Sequence, residues 1–119
     1  MSKNLPKADK MHIDESFTPG LCRIYHARFK DNKPAVGYCC VTSEGSDGCL
    51  LWHVYVQPSS RKRGIALQLL DELKQGFDSI VTDAVTNEGK DLCLKSGFMF
   101  EESAMGRRFL VWRKPKIIS

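Results

Sequence analysis

Arg61, Lys62 and Arg63 stand together just before Gly64 and the run that opens with Ile65-Ala66. A basic turn feeding a helix is suited to an anion, because the first helical N–H groups lack intrahelical acceptors and the side chains add charge. Gly64 lets the backbone approach such a ligand closely. Val54, Tyr55 and Val56 close an apolar run just upstream. The other reading is a surface turn that happens to be basic, but its place between a buried strand and an amphipathic helix favours phosphate binding. No Gly-x-x-x-x-Gly-Lys precedes the helix, and a single glycine stands where a dinucleotide fingerprint needs three, so Walker and Rossmann loops are excluded.

These residues need a strand before them and a helix after. Residues 49–56 read as a central strand buried on both faces. Ile65, Ala66, Leu69, Leu70, Leu73 and Phe77 recur at helical spacing, with Gln68, Asp71, Glu72 and Lys74 on the outer face. Ahead of this unit, 21–29 alternates, Lys30-Asp31-Asn32-Lys33-Pro34 is a turn, and 35–42 is a second strand, together a hairpin. After it come a strand over 79–85, a helix from Asn87 as N-cap to about Lys95, and a stop at Gly97. Strands over 98–101 and 109–113 finish the chain. The order β-β-β-α-β-α-β-β is that of an α/β (α+β) fold, a mixed and mostly antiparallel sheet with helices packed on it. Residues 1–20 are an arm, mobile or carrying an irregular first strand; 21–114 are one domain; 115–119 are a tail.

At 119 residues the chain has room for one core and not for two. Apolar content of 42% and charged content of 27% fit a soluble protein, with no run of membrane-spanning length and no signal-peptide pattern after Met1. Five cysteines without a CxxC pair argue against a disulfide framework or a metal site, and for a reducing cytoplasm. The net charge of +4 gathers in Arg61-Lys62-Arg63 and in Arg107, Arg108, Arg113, Lys114 and Lys116. Nucleic acid would want a broader basic face interleaved with aromatics, so a small anion explains the central cluster more economically.

The stretch from Val56 to Ala66 resembles the pyrophosphate signature of the GNAT acetyltransferase superfamily, Val-x-Pro-x-x-Arg-x-x-Gly-Ile-Ala, which holds acetyl-CoA. Asn87 to Phe98 resembles the family's Asn-x-x-Ala-x-x-Leu-Tyr-x-x-x-Gly-Phe segment, one residue shorter. The resemblance covers roughly 21–113 and implies a GNAT-like acetyl-CoA-dependent N-acetyltransferase. It implies acetyl-CoA held by Val54, Tyr55, Val56, Arg61, Lys62, Arg63, Gly64, Ile65, Ala66 and Asn87, with no metal. It also implies direct attack of an amine on the thioester, whose carbonyl a backbone N–H near Tyr55 or Val56 polarises. Pantetheine would pair with that strand as an added strand does.

The same resemblance points to the proton-transfer groups. Counting back from Gly97-Phe98, the family's tyrosine, which protonates the departing thiolate in many members, falls on Cys93. A thiol of pKa near ~8.5 would be nearly balanced against the leaving thiol, so Cys93 is either that acid or a small packing residue. Where relatives carry a Glu or His base, this chain has Leu50 and Trp52. His53 stands next door with opposite strand parity. The bulge that the resemblance places on this strand re-aims side chains, which makes His53 either the base or a hydrogen-bonded sheet histidine. Asp83, Glu101 and Glu102 are the carboxylate alternatives, and Trp52, Tyr55 and Trp112 read as core aromatics ahead of pocket ones.

Fuller members begin with a strand and two helices that wall the acceptor site. The short start here implies a groove that is open, suiting a protein or peptide amine, or closed by another subunit. Small amines also stay open as acceptors, and the assembly is a monomer or homodimer. Two rival readings stand beside the enzyme: a CoA-binding regulatory module of the same fold, and a small basic nucleic-acid-binding protein whose binding would depend steeply on salt.

Overall fold

Apolar residues two apart along the strands and three or four apart along the first helix converge on one core. The computed structural model describes residues 6–18, 22–83 and 86–116. Its strands are β1 (His12–Thr18), β2 (Cys22–Arg28), β3 (Gly37–Glu44), β4 (Gly48–Val56), β5 (Ser79–Thr82), β6 (Met99–Glu102) and β7 (Arg108–Arg113). The helices are α1 (Ile65–Gly76) and α2 (Asn87–Lys95). They build one mixed sheet in the order β1-β2-β3-β4-β5-β7-β6, antiparallel everywhere except between β4 and β5.

Tyr25 and Ala27 of β2, Cys39 and Val41 of β3, Cys49 and Leu51 of β4 and Ile80 of β5 are buried together with Ile65, Leu69, Leu70 and Leu73 of α1. Cys93 of α2 joins the same cluster. Lys74 of α1 ties the two helices, donating to the Ser96 carbonyl and, at 2.7 Å, to the Ser96 hydroxyl. The opposite face carries Cys22, Ile24, His26, Tyr38, Cys40, Thr42 and Leu50, all only half-buried, because the helices pack on the other side.

Four expectations change. Of the segment taken as a mobile arm or an irregular first strand, the described part, 6–18, docks on the domain as the strand alternative has it and not as a mobile arm: β1 pairs with β2 from His12↔Arg28 to Thr18↔Cys22. Before it, the Ala8 N–H donates to the Arg63 carbonyl (2.9 Å), and Gln68 bonds the Met11 N–H (2.7 Å) and the Asp9 carbonyl (3.0 Å). The strand over 49–56 is not buried on both faces throughout, for Trp52 is 65% exposed on the face that no helix covers among the described residues. Thr86, not Asn87, caps α2; its hydroxyl accepts from the Gly89 N–H at 3.0 Å, and Asn87 is the first helical residue. Strand β5 ends at Thr82, and the remainder of its expected span runs into 84–85, outside the described residues.

Candidate active site

Between Val56 and Ile65 the chain makes a 3-10 turn at Pro58–Ser60 and then two left-handed residues, Lys62 (φ 65°) and Gly64 (φ 81°). Glycine takes that conformation freely, whereas lysine is strained in it, and such strain gathers at ligand sites. Gly64 supplies no side-chain cap, and the first turn of α1 holds no acidic residue. The earliest N–H groups of α1 therefore keep their positive end for an outside acceptor. Ser60, buried, accepts from the Gln57 amide at 3.2 Å and steadies the turn.

The strand before this loop is bulged. Cys40 pairs with His53, but the next residue, Val41, pairs with Leu51, so Trp52 is an extra residue in β4. The insertion reverses strand parity. Leu51, Val54 and Val56 pack with the core, while Trp52, His53 and Tyr55 are exposed. The Tyr38 ring lies 5.5 Å from the His53 ring and 5.8 Å from that of Tyr55, and the Trp52 indole donates to the Thr42 hydroxyl at 2.8 Å.

Pairing of β4 with β5 stops at Leu51↔Thr82. Beyond it the two strands bound a cleft of about 730 Å³. Leu51 to Val56 form one wall, and Ser60, Arg61, Lys62, Gly64, Ile65 and Ala66 form the end at the loop. Thr82 and Asp83 line it from β5, and Thr86, Glu88, Asp91, Leu92, Cys93 and Lys95 line it from the α2 side. Arg61 is fixed at the loop end: its Nε donates to the Val56 carbonyl at 2.7 Å, and its guanidinium lies 5.5 Å from the Tyr55 ring.

Most residues singled out from the sequence thus meet in one cleft: His53, Val54, Tyr55, Val56, Arg61, Lys62, Gly64, Ile65, Ala66 and Cys93. Two do not. Arg63 turns away, donating to the Pro6 carbonyl (3.2 Å) and lying over the Phe29 ring at 5.0 Å, and Asn87 does not line the cleft. Among the carboxylates, Asp83 reaches the cleft but is paired with Arg107, while Glu101 is paired with Arg113 outside it. The Arg113 hydrogen bond holds the Glu101 carboxyl below its ordinary range. Burial pushes the Cys93 thiol up to about 11, with Lys74 pulling weakly the other way. Sequence reading missed Glu88, Asp91 and Lys95; their three- and four-residue spacing on α2 was the available signal.

A family profile described as the acetyltransferase (GNAT) family matches residues 4–84. The chain belongs to the GNAT acetyltransferase family. Its fold is shared by solved structures. A GNAT acetyltransferase from Staphylococcus aureus is 16% identical with a TM-score of 0.62, covering 77% of this chain and 67% of that one. The PaiA N-acetyltransferase from Thermoplasma acidophilum, in complex with coenzyme A, is 16% identical with a TM-score of 0.63, covering 77% of this chain and 60% of that one. A GNAT acetyltransferase from Elizabethkingia anophelis with acetyl-CoA bound is 15% identical with a TM-score of 0.65, covering 87% of this chain and 96% of that one. This GNAT chain therefore spans only about two thirds of the first of these and less of the second. No curated protein sequence matches it closely enough to compare. Among the described residues, no helix is long and apolar enough to cross a membrane and no cluster of three metal-ligating side chains occurs.

Proposed function

We propose that this GNAT chain is an acetyl-CoA-dependent N-acetyltransferase that moves the acetyl group to an amine by direct attack. The observation that carries the reading is the continuity of one cleft from the basic loop to the bulge at Trp52 and His53. The cofactor diphosphate sits on the first N–H groups of α1 beside Arg61 and Lys62. Pantetheine runs along β4 beyond Leu51, where no partner strand pairs with it on the β5 side among the described residues. The thioester then lies at the bulge, its carbonyl accepting from a backbone N–H near Tyr55 or Val56.

The amine enters over the open sheet face, where Trp52 and Tyr38 flank His53. His53 takes the ammonium proton, directly or through a water, and the free amine attacks the thioester carbon. The C–S bond breaks and the attacking nitrogen gives its second proton to solvent, leaving an amide and the CoA thiolate. Cys93 does not supply the thiolate's proton, because moving one from a thiol at about 11 to a leaving thiol near ~8.5 is uphill. Solvent supplies it.

The test is thiol release from acetyl-CoA with a panel of primary amines, comprising a lysine peptide, an N-terminal peptide and a polyamine. The parent should turn over at least one, and His53→Ala should lower kcat by about 100-fold while leaving the KM for acetyl-CoA near its parent value. Equal kcat in both would remove His53 from the chemistry. Acetyl-CoA binding with no turnover on any amine would favour the regulatory module. The nucleic-acid reading loses ground because Arg107 and Arg113 are engaged by Asp83 and Glu101.

A further inference from the structure

On the open face of the sheet, away from the helices, the Cys22 and Cys40 sulfurs lie 2.7 Å apart. They belong to adjacent antiparallel strands, Cys22 opposite Thr42 and Cys40 opposite Ile24, so the side chains lean toward each other across the β2–β3 ladder. Both are half-buried, whereas Cys39, Cys49 and Cys93 are buried. Cys40 is also the residue directly across from His53. Neither sulfur lines the cleft, and neither has a part in the proposed acetyl transfer.

From this geometry we infer that Cys22 and Cys40 form a modification site, a dithiol that closes to a disulfide on exchange with a small disulfide of the glutathione class. A thiolate of one cysteine attacks the glutathione disulfide, forming a mixed disulfide and releasing one glutathione thiolate, which takes a proton. The second cysteine, as thiolate, attacks the protein sulfur of that mixed disulfide and expels the second glutathione. Two protein thiols are oxidised and one glutathione disulfide is reduced to two thiols. Bond formation closes the sulfurs from 2.7 Å to about 2.05 Å. Burial and the neighbouring Cys22 push the Cys40 thiol up to about 11, so the exchange quickens as the pH rises. Disulfides that exchange in this way serve as reversible marks more than as permanent staples.

The test is incubation of the native, fully reduced protein with glutathione disulfide, followed by acid quenching, thiol counting in denaturant and peptide mapping. The expected result is a fall from five titratable thiols to three, a mass loss of about 2 Da, and a linked peptide joining Cys22 to Cys40. Dithiothreitol should restore all five. Cys22→Ser and Cys40→Ser should each stop at a glutathione adduct on the remaining sulfur. Five unreacted thiols, glutathione adducts persisting on the parent, or a bridge through Cys39, Cys49 or Cys93 would each overturn the inference. The parent's peptide map decides the matter even if a serine variant fails to fold.

Discussion

Cys93 occupies the position where the family's tyrosine is expected, and its surroundings decide its chemistry. It is 4% exposed, packs in the core cluster and holds its proton up to about 11. A buried thiol of that kind is a packing group at neutral pH. Cys93→Ala should therefore leave kcat within about threefold of the parent while lowering the unfolding midpoint, as loss of a buried sulfur does. A folded Cys93→Ala variant with kcat down more than about tenfold would restore the acid role. The sequence supplied the residue and its register with the family segment, but burial depends on how α2 seats against the sheet. Arg61 and Arg63 make the same point. Two residues apart in one basic run, they part company because Arg61 is held by the Val56 carbonyl and Arg63 by the Pro6 carbonyl and the Phe29 ring.

At the scale of elements, the cleft opens because β4 carries one residue too many and β5 is short. The extra residue, Trp52, moves His53 onto the open face, and the end of β5 at Thr82 frees the β4 backbone. The helix α1 was legible to within a residue, since its apolar stripe is dense and its start is marked by Gly64. The bulge was not legible from local pattern, because Trp52 and His53 fit an unbroken apolar-aromatic strand equally well; only the family resemblance pointed to it. Gly37 keeps this wall in register. A Cβ there would meet the Tyr55 carbonyl oxygen at 2.9 Å and the Val56 side chain at 3.3 Å. Gly37→Ala should push β3 from β4 and destabilise the fold by ~1–3 kcal/mol, read from denaturant midpoints. An unchanged midpoint would mean that the two strands are not held as closely as described.

At the scale of the molecule, the two described helices cover one face of a seven-stranded sheet, and among the described residues no helix covers the other. Fold class and the placing of the loop before α1 could be read from the sequence because they rest on local periodicity and turn chemistry. The docking of residues 6–11 on Arg63 and Gln68 could not, since it rests on contacts more than fifty residues apart in a stretch with little pattern of its own. Burial of β4 was overestimated for a related reason: an apolar strand implies a cover on each face, and here the open face has none among the described residues. On the proposed reading, acetyl-CoA binds in the cleft with its diphosphate at the α1 loop. Calorimetric titration of the parent, Arg61→Ala and Arg63→Ala with acetyl-CoA tests it most directly. Micromolar binding by the parent, weakened about tenfold or more in Arg61→Ala and nearly unchanged in Arg63→Ala, is the predicted result. No binding by the folded parent, or a loss confined to Arg63→Ala, would contradict it.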